Sequence, residues 1–461
     1  MPDPPNILIY FIDELRADAL GCYGHPFAQT PTIDRIAGQG MRFDQAISNC
    51  PLCMPARNCF FTGQYPSTHG VVFNELPADV DAARPPAYQF GPILRAAGYR
   101  HLINVGKHHT GLAPGLSGFT EHIPVKDQLG AGPPKPPRGI DPHNNDLVIS
   151  PGGGPNVILA GTYPTDGIES EACQMAERTI ERLDGLADTD APWLLRVSMA
   201  PPHTPVLPPE PWASMYKQDA ADWQPDAGEL DRRTPLLRRW HEFRGWDRLG
   251  VDQLRRVRAA YLGMTSYMDA QLGRIEQALA DRGMTDNLLT IFIADHGASI
   301  GDHGCQVKGP FDTDDIARVP LIVRQPGRIT PGVYQPTTQM IDVLPTLAAW
   351  LGVSIPPTVQ GRSLAPALAG ETSPMHDAVF SEGTFPIAHA GQRESIRTDR
   401  YLFTRYPALG ERELFDLADD PHQRRSIADD AGDVTRALGD RLDAWRTDHP
   451  LPPASAQRQS D

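Results

Sequence analysis

Residues 6–12 (NILIYFI) form an unbroken apolar run, and 193–199 (WLLRVSM) and 288–294 (LLTIFIA) are built almost the same way. A strand with one wet face alternates apolar and polar positions, so continuous runs of this length mark strands buried on both faces of a parallel sheet. Helical patterns fall between them. Residues 32–40 (TIDRIAGQG) predict a short helix with a glycine stop, and 56–62 the start of another closed by Gly63. Residues 90–98 predict a third helix feeding a strand at 99–105; 166–186 is helical, and 252–282 gives one or two long helices. A strand at 319–324 and a helix at 342–351 follow. Strands alternating with helices imply an α/β fold, a large, mostly parallel sheet sandwiched by helices.

The pattern changes near residue 376. Short runs at 378–382, 394–397, 401–406 and 413–417 are separated by turns, as in an antiparallel meander, and a closing helix covers about 432–447. The implied organisation is a catalytic α/β domain over 1–375, a smaller C-terminal α+β domain over 376–450, and a flexible tail over 451–461. Residues 126–156, with PPKPP and PGGGP, are too rich in proline and glycine for regular structure and predict a long surface loop over a site. The polar, Trp-containing stretch 208–250 has the character of an insertion.

Composition narrows the function classes. Among 461 residues, 42 Lys+Arg face 57 Asp+Glu, a formal charge of −15. That balance argues against nucleic acid or an anionic membrane as a partner, either of which asks for a basic patch. Only five of the basic residues are lysines, so the position of each carries information. Six cysteines are too few for a disulfide framework. The start, MPDPPNILIYFID, has no basic segment or small-residue cleavage site, and no apolar run reaches the roughly 18 residues of a membrane span. These features predict a cytoplasmic, enzyme-sized protein; oligomeric state is not legible.

Two of the apolar strands end in acidic pairs, Asp13-Glu14 and Asp295-His296. Ligands of open α/β sheets bind beyond the carboxyl ends of the strands, where these residues fall. Three carboxylates and an imidazole make a reasonable divalent-cation set. Acidic residues also open loops after strands without binding anything, and spacing alone leaves both readings open.

The pentapeptide Cys53-Met54-Pro55-Ala56-Arg57 is more specific. It lies where a loop enters a helix, so Cys53 stands at a helix N-terminus, whose free N–H groups favour an anion. Arg57 adds a permanently charged, planar donor. Continued as NCFFTGQYPSTHG, the segment resembles the sulfatase signature Cys-x-Pro-x-Arg. Further motifs similar to those of sulfatases follow in order along almost the whole chain: PNILIYFIDELRADALGCYG at the start, Gly106-Lys107-His108-His109, Pro202-His203-Thr204-Pro205, residues 290–304 with Lys308 beyond, and ELFDLADDP near the end. A Cys50-x-x-Cys53 redox pair lacks a thioredoxin-like context, and half of a zinc site lacks a second cysteine pair. Cys22, Cys59, Cys173 and Cys305 read as structural.

The resemblance implies an alkaline-phosphatase-like fold and hydrolysis of a sulfate monoester of the aryl, alkyl or sugar class. It implies that a formylglycine-generating enzyme converts Cys53 to formylglycine, whose hydrate attacks sulfur with one hydroxyl and expels sulfate with the other. Carried onto this chain, it makes Asp13, Glu14, Asp295, His296 and residue 53 the ligands of one divalent metal. Arg57 and Lys107 hold the diol, His109 is the base for sulfate release, and His203 and Lys308 bind sulfate and protonate the leaving oxygen. Asn74 falls where some relatives place an active-site amide. Two positions depart from the common pattern: Glu14 stands where many relatives have Asp, and His296 where many have Asn. Oxygen ligands favour Ca²⁺, and the imidazole admits Mn²⁺. A phosphonate monoester or phosphodiester hydrolase on the same formylglycine is the alternative activity. A non-catalytic anion- or metal-binding protein is the reading if Cys53 is never converted. Substrate identity is expected in the loops 126–156 and 208–250, where Trp212, Trp223, Trp240 and Trp246 either stack on a ring or simply pack.

Overall fold

A computed structural model describes residues 4–74, 88–125, 147–152, 158–217, 220, 223–226, 228–385 and 391–450. One sheet is built from Asn6–Ile12 (β1), Met41–Ile47 (β2), His101–Gly106 (β3), Glu121–Ile123 (β4), Trp193–Met199 (β5), Leu288–Ala294 (β6), Arg318–Arg324 (β7) and Gly332–Gln339 (β8). Across the sheet the order is β8-β2-β7-β6-β1-β5-β3-β4, and β7 alone runs against its neighbours. The three continuous apolar runs are the adjacent central strands β6, β1 and β5, and all but Asn6 of their residues are buried.

Helices cover both faces, and two neighbouring residues of β1 show it. Successive strand residues point to opposite sides. Tyr10 donates to Glu276 of the long helix Val251–Asp281, whereas the Phe11 ring packs edge-on against Phe60, 4.9 Å between centroids, in helix Cys53–Thr62. We number the helices Pro31–Gly38 (α1), Cys53–Thr62 (α2), Phe90–Ala96 (α3), Glu171–Ala187 (α4), Val251–Asp281 (α5), Val343–Trp350 (α6) and Gly432–Asp448 (α7). Helices α1, α4 and α5 pack together, as do α2, α3 and α6 around α6.

Three local outcomes refine the sequence pattern. The helix expected over 32–40 stops at Gly38, and β2 starts three residues later. Gly40 makes that turn possible, because a Cβ there would come within 2.5 Å of the Val323 carbonyl oxygen. The segment 252–282 is a single helix. Within the loop expected over 126–156, Val148–Ile149 pairs antiparallel with Ile158–Ala160; 126–146 and 153–157, like the tail 451–461, lie outside the described residues.

A second sheet is the expected meander: Val379–Phe385 (β9), Gly391–Arg397 (β10), Tyr401–Tyr406 (β11) and Glu411–Asp416 (β12), in sequential antiparallel order, with α7 packed on β10 and β11. Strand β9 docks onto the chain beside Cys53. Glu382 N donates to Asn49 O (2.9 Å), Thr384 N to Val72 O (3.0 Å), and Asn49 Nδ2 to Phe380 O (2.9 Å). Buried ion pairs reinforce the contact, among them Arg393 Nε to Asp312 Oδ2 at 2.8 Å and Arg233 Nε to Glu413 Oε1 at 2.6 Å.

Arg393 is fully buried, and its loss would strand the Asp312 carboxylate inside the protein. Removing one partner of such a pair costs about 3–5 kcal/mol. Arg393→Met is therefore expected to lower Tm by roughly 10 °C, and the double variant R393M/D312L to recover part of the loss. A Tm for R393M equal to that of the parent would show the pair to be energetically idle.

Candidate active site

Four adjacent parallel strands deliver the candidate residues at their carboxyl ends. Asp295 and His296 follow β6, Asp13 and Glu14 follow β1, His203 follows β5, and Lys107 to His109 follow β3. The ladder runs one residue past the strands and fixes their heights: Asp13 N donates to Met199 O (2.9 Å), Asp295 N to Ile12 O (3.1 Å) and Lys107 N to Ser198 O (2.9 Å).

Helix α2 supplies Cys53 and Arg57. It starts at Cys53, three residues before the sequence pattern turned helical, and every one of its ten residues is buried. Asn74 Oδ1 accepts from Met54 N at 2.9 Å, so this amide satisfies one of the free N–H groups at the helix start. Cys53 and Arg57 are four residues apart and share a helix face. Arg57 then bridges the two strand-end carboxylates. Its Nη2 lies 3.1 Å from Asp13 Oδ2 and 2.9 Å from Asp295 Oδ2, and its Nη1 donates to Ser198 Oγ (2.9 Å) and Lys107 O (3.1 Å).

Around the Cys53 sulfur the charge is strongly positive. His296 Nε2 is 3.2 Å away and Asp13 Oδ1 3.6 Å. Burial raises the thiol, but Lys308, Lys107 and His296 outweigh it and hold Cys53 well below the usual thiol range. Burial also opposes ionisation of Asp13, yet Lys107, His203 and Arg57 hold its carboxyl well below the usual carboxylate range. Asp295 moves the other way, raised by burial and by the charge on Asp13. His296 loses basicity to burial and regains more from Asp295 and the thiolate, ending at about 9.

Donor atoms of Asp13, Cys53, Asp295 and His296 all lie within 4.8 Å of one another, and all four residues are buried. Donors at about 2.0–2.4 Å from a common ion are at most roughly 4.8 Å apart, so the set fits one divalent cation. Glu14, expected among the metal ligands, is not in this group. Its Oε2 instead lies 2.7 Å from Lys308 Nζ and 3.1 Å from His203 Nε2, and its ligand atom groups with Asp13 and His203. Lys107 Nζ is paired with Asp13.

Backbone strain marks the same region. Among the described residues, five other than glycine have positive φ, and three are here: Glu14 (62°), His109 (45°) and Val307 (55°), the neighbour of Lys308. Such conformations are uncommon, above all for a β-branched residue, and they gather at functional sites.

Sequence reasoning missed Ser198, which accepts from Arg57, and Arg196, whose Nη1 donates to Asn104 Oδ1 (2.6 Å) and lies 3.3 Å from Lys107 O. A charged residue inside the run WLLRVSM was the available signal for Arg196, since a buried charge must be held by something. Of the four tryptophans, Trp240 and Trp246 are buried in an apolar cluster with Leu52, Phe311 and Phe385. Trp212 packs against Tyr267, and Arg258 lies over the Trp223 ring.

With this geometry in view, the comparisons with known proteins are decisive. The family model described as Sulfatase matches residues 5–353. The chain belongs to the sulfatase family. A second model, N-sulphoglucosamine sulphohydrolase, C-terminal, matches residues 301–448. An arylsulfatase of Clostridium perfringens is 27% identical over 465 residues, covering 92% of this chain and 90% of its own. A choline-sulfatase of Rhizobium meliloti is 30% identical over 443 residues, covering 92% and 82%. The phosphonate monoester hydrolase of Agrobacterium radiobacter superposes with a TM-score of 0.78 at 27% identity over 96% of each chain. This sulfatase is a sulfuric ester hydrolase with the alkaline-phosphatase-like architecture. No helix among its described residues is long and apolar enough to cross a membrane.

His69 props the helix that carries Cys53. Its Nδ1 accepts from Val71 N (3.1 Å), so the ring hydrogen is on Nε2, facing Cys59 Sγ of α2 at 3.4 Å. Burial pulls its pKa down to about 3. The unfolded chain binds this proton near pH 6.5 and the native protein does not, so the stabilisation is complete above that pH and drains away as pH falls toward 3, by up to about 1.4 kcal/mol per pH unit. Urea midpoints from pH 7 to 4 are expected to fall less steeply for His69→Gln than for the parent. Parallel slopes would contradict the assignment.

Proposed function

We propose that this sulfatase hydrolyses a small sulfate monoester with formylglycine at position 53, formed from Cys53 by a formylglycine-generating enzyme, beside one divalent cation. The observation that carries this reading is the buried group of four donor atoms at single-ion spacing, the Cys53 sulfur among them, with Lys107 paired to Asp13 and with Lys308 and His203 held by Glu14 next to Asp13. Asp13, Asp295, His296 and residue 53 would hold the cation. When bound, it supplies positive charge for a sulfate oxygen and lowers the pKa of a hydroxyl at position 53. A hydrated aldehyde there supplies two hydroxyls, one to attack sulfur and one to expel sulfate, which plain Ser or Cys lacks.

The chain's own residues do the rest. Arg57 and Lys107 fix residue 53 and compensate the buried carboxylates. His109, two residues beyond Lys107, takes a proton from residue 53 when sulfate leaves. His203 and Lys308 bind the sulfate oxygens and give the departing alcohol its proton. With Glu14 on Lys308 rather than in the donor group, the set left for the ion is two carboxylates, an imidazole and residue 53. That mixture suits Mn²⁺ at least as well as Ca²⁺, the ion an all-oxygen shell would favour.

One observation favours a second reading. The likeness to a phosphonate monoester hydrolase extends over 96% of the chain, and sulfuryl and phosphoryl groups are alike in shape. Lys107 with His109, the Gly-Lys-x-His pattern, tilts the balance toward sulfate.

Protein made together with the maturation enzyme is expected to yield a Cys53 tryptic peptide about 18 Da below the thiol form. It should turn over 4-nitrophenyl sulfate faster than phenylphosphonate esters, lose activity on chelation, and regain it with Mn²⁺ or Ca²⁺. Cys53→Ala should lower kcat by a factor on the order of 10⁴ or more. A peptide that stays a thiol would remove the nucleophile and favour a non-catalytic binding protein. Faster turnover of phosphonates would favour the second reading.

A further inference from the structure

Arg196 lies in the middle of β5, where every residue is buried, and is itself fully buried. Its guanidinium lies over the rings of Phe11 and Phe61, 4.5 and 5.0 Å from their centroids, and no carboxylate of the described residues pairs with it. Nε and Nη2 have no hydrogen-bond partner among the described residues. Burial and the neighbouring Arg57 both hold its pKa well below the ordinary guanidinium range. For the fold alone an apolar side chain would serve better here, since a buried charge without a counter-charge opposes folding.

What Arg196 does hold is the turn that carries Lys107. Both of its hydrogen bonds among the described residues come from Nη1, which lies 2.6 Å from Asn104 Oδ1 and 3.3 Å from Lys107 O. Asn104 is its register partner on β3, so the two side chains stand on the same face of the sheet. A guanidinium only donates, so it turns the amide oxygen of Asn104 toward itself and leaves Nδ2 for the Gly106 carbonyl, 3.0 Å away. The carbonyls of Gly106 and Lys107 are thus both held by side chains, the second also by Arg57 Nη1 at 3.1 Å. The turn is one that needs holding. Gly106 sits at φ 84°, where a Cβ would come within 2.6 Å of Ser198 O, and His109 at φ 45°. From this turn the Lys107 ammonium reaches Asp13.

We propose that Arg196 is a positioning residue for the reaction: through Asn104 and the Lys107 carbonyl it fixes the Gly106-Lys107 turn, and with it the place of the Lys107 ammonium, while lowering the stability of the fold. The proposal rests on the reading above that makes Lys107 part of the active site. Arg196 transfers no proton and acts only through Lys107.

The test uses the full-length matured protein with Mn²⁺, its Arg196→Met, Arg196→Lys and Lys107→Ala variants, and the double variant R196M/K107A. Methionine fills much of the same space between the two rings without a charge. R196M is expected to melt no lower than the parent. It should nonetheless lower kcat on 4-nitrophenyl sulfate on the order of 10²-fold, with KM within about twofold, as a misplaced group does. R196K, whose ammonium extends toward the same two oxygens, should recover about tenfold of that loss. Because Arg196 acts through Lys107, R196M should change kcat less than about threefold once K107A is present. A Tm for R196M several degrees below that of the parent would make Arg196 a structural brace, and losses that multiply in the double variant would show damage that bypasses Lys107. Either result overturns the proposal. A parent inactive on the sulfate ester but active on a phenylphosphonate ester would refute the sulfate reading alone, and the same set of variants on that ester would then decide the role of Arg196. A parent inactive on both esters would overturn the two together.

Discussion

Two carboxylates cannot be buried side by side unless positive charge is brought to them. Asp13 and Asp295 are both fully buried at the ends of neighbouring strands, and a single guanidinium, that of Arg57, reaches both. Most of the site follows from this arrangement. Arg57 is one helical turn from Cys53, so the demand of the carboxylates for a counter-ion also fixes α2 and brings the sulfur beside them. The same guanidinium holds Ser198 of β5 and the Lys107 carbonyl beyond β3, tying four strand ends together through one side chain. Around Cys53 buried carboxylates and buried cations are thus interleaved, each offsetting the cost of burying the other.

Stability has been given up locally to hold this geometry. Arg196 is buried with no carboxylate of the described residues within hydrogen-bond reach; it lies over the rings of Phe11 and Phe61 and binds Asn104. Burial and nearby Arg57 both push its pKa well below the ordinary guanidinium value, the mark of a charge kept at some cost. The left-handed Glu14, His109 and Val307 add backbone strain beside Asp13, Lys107 and Lys308. The surrounding helices and the docked C-terminal sheet are what keep these residues from relaxing.

Much of this was legible in the chain. The apolar runs 6–12, 193–199 and 288–294 are the central strands to the residue, since burial on both faces leaves no room for polar positions. Met41–Ile47 and Gly332–Gln339 were not visible. In β2, Arg42, Asp44 and Gln45 interrupt the pattern at half-buried positions; in β8, an edge strand, exposed positions and Pro336 do the same. The motif residues pointed to the right strand ends, but not to the direction each side chain takes. The contact of Glu14 with Lys308, and those of its backbone with Asp295 and Tyr261, more than 240 residues away, could not be read from its place after Asp13. Ser198 and Arg196 were hidden inside a strand for the same reason.

The central claim is that the strand ends form one cation site directly under residue 53. The most direct test is anomalous diffraction from crystals of the matured protein grown with Mn²⁺. The account predicts a single peak about 2.0–2.4 Å from oxygens of Asp13 and Asp295, from His296 Nε2 and from the side chain at position 53. A peak between Asp13, Glu14 and His203 instead, or none within reach of residue 53, would contradict it.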